Sequence, residues 1–216
     1  MKTSIPIKIA LLLSAALGVP DHAMGTSVQL QVRGSIRPGT CIPNLEAAGL
    51  INYADVSYDS LNQNEPNHFD TREIALSIIC AAPTRVGIRT IDNRSASKLI
   101  LPNVGDKNAM YGLGMTGKTS IGAFHLAIRK LDGDNAALEL LARDSQAGAI
   151  WRKNDTGAVR TDQINSWGPP GTGTVGVYQR ITATLGVTPV LNRASALPAN
   201  EAINFDGATT IEIVYL

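Results

Sequence analysis

The pattern that looks most like a catalytic device lies mid-chain, where Gly112, Gly117, Lys118 and Thr119 match the phosphate-binding P-loop spacing. In such a loop, backbone amides and a lysine cradle phosphates while the hydroxyl and a distant aspartate hold magnesium. That chemistry needs a buried strand before the glycines, a helix after them and an acidic strand end elsewhere. Residues 108–111 make a poor buried strand, and no hydrophobic run ends in a suitable aspartate. The match therefore does not count as a nucleotide site. Gly171, Gly173 and Gly176 match the dinucleotide fingerprint, but they follow Pro169 and Pro170 and lead into an alternating strand rather than a helix. Asp132 and Asp134 flank Gly133 as a calcium loop would begin, yet the other ligands are missing. Histidine is scarce (His22, His68, His125), and no Ser/His/Asp set can be assembled. Trp151 and Trp167 read as core or rim residues rather than a sugar platform. The expectation is no enzyme, no cofactor and no metal.

Cys41 and Cys80 carry more information, because of what precedes them. Residues 1–25 read as a secretory signal: Lys2 and Lys8 supply positive charge, residues 9–19 form a short apolar run, and Ala23 and Gly25 offer small side chains for cleavage after either position. The run is too short for a membrane span of about 20 residues, and no cysteine follows closely enough for a lipid anchor. In an exported chain a lone cysteine pair most simply forms one disulfide. The formal net charge of +1 gives no reason to expect nucleic acid or an anionic membrane as partner. At 216 residues the chain is long enough for a substantial core, in one domain or at most two small ones.

The elements that would position anything are strands. Residues 209–216 alternate, with Thr209, Ile211, Ile213 and Tyr215 on one face and Thr210, Glu212, Val214 and Leu216 on the other. A strand this apolar needs a cover. Residues 27–34 offer one: Val28, Leu30 and Val32 on one side, Gln29, Gln31 and Arg33 on the other. The two are complementary, and the covering arm is expected to come from another copy. Between them, residues 50–53 read as a short strand and 59–67 as a polar loop. Residues 72–80 and 85–91 read as a hairpin across Ala81, Ala82 and Pro83. Residues 121–131 fit both periods, and the Asp132–Gly133 turn favours a strand. Residues 136–143 have helical propensity, 167–173 form a Pro/Gly-rich loop, and 175–185 alternate again. Many short strands with frequent turns predict an all-β sandwich.

The ends and cysteines together resemble a pilin of the chaperone–usher pathway: a cleaved signal, a short alternating arm, Gly34, Cys41, then Cys80 closing an apolar strand, and a C-terminal strand with penultimate Tyr215. Internal residues are similar to the beta-fimbrial major-subunit family, much of which is a domain of unknown function. These are Gly34 with Ile36, Cys41 with Pro43, Cys80 with Pro83, Asp92 to Arg94, Tyr111 to Gly114, Ile121 with Gly122, and Gly207 through Leu216.

The resemblance implies an immunoglobulin-like β-sandwich lacking its last strand. A periplasmic pilus chaperone would first lend a strand. The arm of an identical or related pilin subunit would then replace it as the fibre grows through an outer-membrane usher. Residues 1–25 would be the signal, 26–36 the donor arm and 37–216 the body. Donor residues would be Val28, Leu30 and Val32; acceptor and chaperone contacts would be Ile211, Ile213, Tyr215 and Leu216. Localisation would be periplasmic in transit, then fimbrial on the cell surface. The chain departs from many pilins in having Ile203, Asn204 and Phe205 where a glycine usually stands, with Gly207 the nearest substitute. The alternative expectation is a periplasmic or secreted binding protein of the same fold that does not polymerise.

Overall fold

The computed structural model describes residues 28–34, 40–100, 106–146 and 148–216. The signal assigned to residues 1–25 and the position of Ile36 lie outside the described residues. The chain divides between Arg37 and Pro38. On the first side, residues 28–34 are irregular backbone in no described strand, with the Arg33 guanidinium donating to Gln31 Oε1 at 2.9 Å.

The second part is all-β. Its strands are β1 (Cys41–Leu45), β2 (Asn67–His68), β3 (Arg72–Thr84), β4 (Val86–Asp92), β5 (Met110–Gly112), β6 (Met115–Thr116), β7 (Thr119–Ser120), β8 (Gly122–Gly133), β9 (Ala136–Ala137), β10 (Glu139–Asp144), β11 (Arg152–Lys153), β12 (Gln163–Gly168), β13 (Tyr178–Leu191) and β14 (Thr209–Tyr215). One antiparallel sheet runs β1-β3-β13-β8-β5, with β2 on β13 and β9 on β8. A second runs β11-β10-β12-β4-β14, and β6 pairs with β7. Alternation decides which side chains go in. Ile74, Leu76, Ile78 and Cys80 of β3, Ile181, Ala183 and Leu185 of β13, and Leu126 and Ile128 of β8 join Val86 and Ile88 of β4 and Trp167 of β12 in one cluster. The cluster draws on both large sheets. Cys41 and Cys80 are directly opposed in the β1–β3 register and form the expected disulfide.

Five local expectations are corrected. Residues 72–80 and 85–91 are strands but not a hairpin: β3 lies between β1 and β13, and β4 lies between β12 and β14. Both carry an apolar face, and those faces join one core instead of lying side by side in one sheet. Pro83, which has no N–H, falls where the β3–β13 register shifts. Residues 50–53 are irregular rather than a strand. The Tyr53 hydroxyl donates to the Val187 carbonyl at 2.8 Å, and the Arg72 guanidinium covers its ring at 4.7 Å.

Residues 136–143 are not helical. β10 pairs with β12 from Glu139 to Asp144, burying Leu140, Leu141 and Ala142, and this pairing overrides a weak helical preference. The turn expected at Asp132 and Gly133 falls two residues later. Asp134 and Asn135 have φ of 48° and 69°, the left-handed pair that a two-residue hairpin between β8 and β9 demands. Trp167, placed in a loop by its neighbours Pro169 and Pro170, is instead buried in β12.

Candidate functional site

Backbone hydrogen bonding shows which way each residue of β14 faces. Asn93 N–H donates to Ala208 O and Leu216 N–H donates to Arg85 O, at 3.0 and 3.1 Å, on an unbroken β14–β4 register. Residues 208, 210, 212, 214 and 216 therefore turn their backbone groups toward β4. Thr209, Ile211, Ile213 and Tyr215 turn theirs to the other side. Among the described residues β14 pairs with β4 alone, so that outer row is an open edge. The same four side chains share one face of the strand, and Ile211 and Ile213 pack against the core. On the opposite face, Glu212 pairs with Arg89 at 2.5 Å on the surface, a contact of small energetic weight.

The same reasoning applies to β1. Ala81 N–H donates to Thr40 O at 2.9 Å, so Cys41, Pro43 and Leu45 point their backbone away from β3. The Cys41 amide donates to the Tyr215 hydroxyl at 2.9 Å. Pro43 has no donor to offer.

Beside the open edge lies a cavity of about 730 Å³. Ile74, Leu126, Leu185 and Leu191 contribute from one sheet, Ile211 and Thr209 from β14, and Leu45 from β1. The irregular segments 49–56 and 201–207 wall it, with Ile51, Tyr53, Ile203 and Phe205 among the lining side chains. Its charged lining is acidic: Asp55, Glu201 and Asp206. Gly207 sits at the wall so tightly that a Cβ would lie 2.7 Å from the Phe124 ring and 3.0 Å from Leu113. A side chain there, two residues before β14, would require the Phe124 ring to shift.

The structure thus joins Cys41 to Cys80 and sets Ile211, Ile213, Tyr215 and Leu216 on or next to one open edge. Val28, Leu30 and Val32 are 97%, 88% and 89% exposed. Sequence reasoning missed Leu45, Leu126, Leu185 and Phe205 as cavity residues. Alternation marked Leu126 and Leu185 as core positions, but nothing in the chain order puts them opposite β14.

The tempting motifs resolve into turns and packing. Gly117 and Lys118 form the turn between β6 and β7, and β8 rather than a helix follows. Asp134 accepts from the Gln179 and Arg180 amides, closing a loop. His125 is half-buried with Nδ1 3.2 Å from the Ala109 carbonyl, and burial lowers its pKa from the ordinary histidine value. Trp151 lies under the Arg143 guanidinium at 5.0 Å.

A family model described as "Protein of unknown function (DUF1120)" matches residues 30–125, from the arm through Cys41, Cys80 and β4 into β8. The chain is also similar to "Protein GltF" of Escherichia coli (strain K12), 25% identical over 227 residues, which cover 88% of this chain and 89% of that protein. The expected link to a family of unknown function is met in part: the matching model covers 96 of the 216 residues, a stretch that holds both cysteines.

Proposed function

We propose that this protein is a structural subunit of a chaperone–usher fimbria. In this reading the body is an immunoglobulin-like sandwich short of one strand, and copies join by strand exchange. The observation that carries it is the open β14 edge: Thr209, Ile211 and Ile213 present unpaired backbone outward, with Ile211 and Ile213 packed on the core, beside a cavity lined by both apolar and polar side chains. A strand added there gains backbone hydrogen bonds for affinity and apolar contacts for register. The arm of residues 26–36 has the complementary pattern and is exposed where it is described. A periplasmic chaperone would cover the same edge before assembly. An outer-membrane usher would then pass the growing fibre to the surface. Among the described residues no helix is long and apolar enough to cross a membrane.

A polymer held by inserted strands is kinetically trapped, because release requires unfolding. Surface extracts should therefore run as a ladder of multimers in detergent gels loaded cold and collapse to one band after boiling. A single band in both lanes would favour the non-polymerising binding protein.

A further inference from the structure

Tyr215 reaches out of its own sheet. Its hydroxyl accepts from the Cys41 amide at 2.9 Å, filling an outward-facing donor of β1. Cys41 is fixed to β3 by the disulfide, and the end of β14 is fixed to β4 through Leu216. The contact therefore ties the edge of one sheet to the edge of the other. It does so at the C-terminal end of β14, whereas the residues of β14 and β1 that line the cavity, Thr209, Ile211 and Leu45, lie toward the opposite end of each strand.

We infer that the Tyr215–Cys41 clasp is a register stop that fixes how far the arm of a second copy enters the groove. This rests on the strand-exchange reading above. The edge left free by the clasp runs from Thr209 to Ile213, five residues, and the apolar run of the arm from Val28 to Val32 is also five. Directly opposed residues of paired strands share a face, so Val28, Leu30 and Val32 enter the core when set against Thr209, Ile211 and Ile213. A slip of one residue would turn that face outward and is excluded by the hydrophobic pattern. A slip of two preserves the pattern, so hydrophobicity alone cannot forbid it; the clasp can, by closing the edge beyond Ile213. The arm remains joined to its own body through Arg33, which must leave by the end away from the clasp, next to Thr209. Val28 then lies against Ile213 and Val32 against Thr209.

Disulfide trapping between full-length copies, with the Cys41–Cys80 bridge intact, tests this. Val28→Cys combined with Ile213→Cys should give cross-linked oligomers. Leu30→Cys combined with Ile213→Cys reports an arm two residues deeper and should give roughly tenfold less, the equilibrium weight of about one hydrogen bond. Tyr215→Phe keeps the ring and removes the acceptor, so in that background the deeper cross-link should rise to match the first. Melting of unassembled protein separately records any structural loss. Equal cross-linking by the two pairs with Tyr215 present, or an unchanged ratio in Tyr215→Phe, overturns the stop while leaving strand exchange standing. The first comparison holds whatever Tyr215→Phe does to folding. No cross-link from either pair in any background removes the strand-exchange reading and the stop with it.

Discussion

Replacing Leu30 by glutamate places a carboxylate where the arm would bury its central side chain. Leu30 is 88% exposed, so the substitution replaces no buried side chain. In the joint it forfeits the roughly 1.5–3 kcal/mol that burying a leucine contributes. It also strands a charge beside Ile74, Leu126, Leu185 and Ile211. None of the charged lining residues is basic, so the new carboxylate finds no ion-pair partner in the cavity lining. It must protonate or bear a desolvation cost of several kcal/mol. A combined loss of at least about 4 kcal/mol weakens each joint about a thousandfold. The expected result is an intact monomer with wild-type melting behaviour and no ladder in cold-loaded gels. Gln31→Glu, on the solvent side of the arm, should assemble as wild type does, and lowering the pH should partly restore assembly of Leu30→Glu. A normal ladder from Leu30→Glu at neutral pH would refute the arm as donor.

Two further outcomes follow from the body. Closing the loop from Cys41 to Cys80, separated by 39 residues, should stabilise the fold by about 4 kcal/mol in the chain-entropy account; urea unfolding of the Cys41→Ala/Cys80→Ala pair should show a loss of that order, and an unchanged midpoint would rule it out. His125 has its pKa lowered by burial, so the unfolded chain takes up a proton that the folded chain refuses. Stability is then complete above the ordinary histidine value near 6.5 and falls as pH drops from there toward the folded pKa. Melting midpoints measured across that window should decline less in His125→Asn than in the wild type.

Much of this molecule is written locally in its residues. Alternation located β3, β4, β8, β13 and β14, because a pleated strand sends successive side chains to opposite faces. The cysteine pair foretold the Cys41–Cys80 disulfide. The sequence also suggested that Ile211 and Ile213 lie inside, since their neighbours Thr210 and Glu212 are polar. What it left undecided is non-local. The same alternating pattern suits two strands side by side or facing each other, so β3 and β4 read as a hairpin until the sheets assigned them to opposite sides of the core. Helical preference in residues 136–143 yielded to six paired positions with β12, a partner farther along the chain. The Tyr215–Cys41 contact joins residues 174 positions apart, and the cavity wall gathers short pieces from most of the body. Periodicity records which face of an element is apolar; which faces meet, and which edge stays open, depends on packing between distant segments that no local pattern encodes.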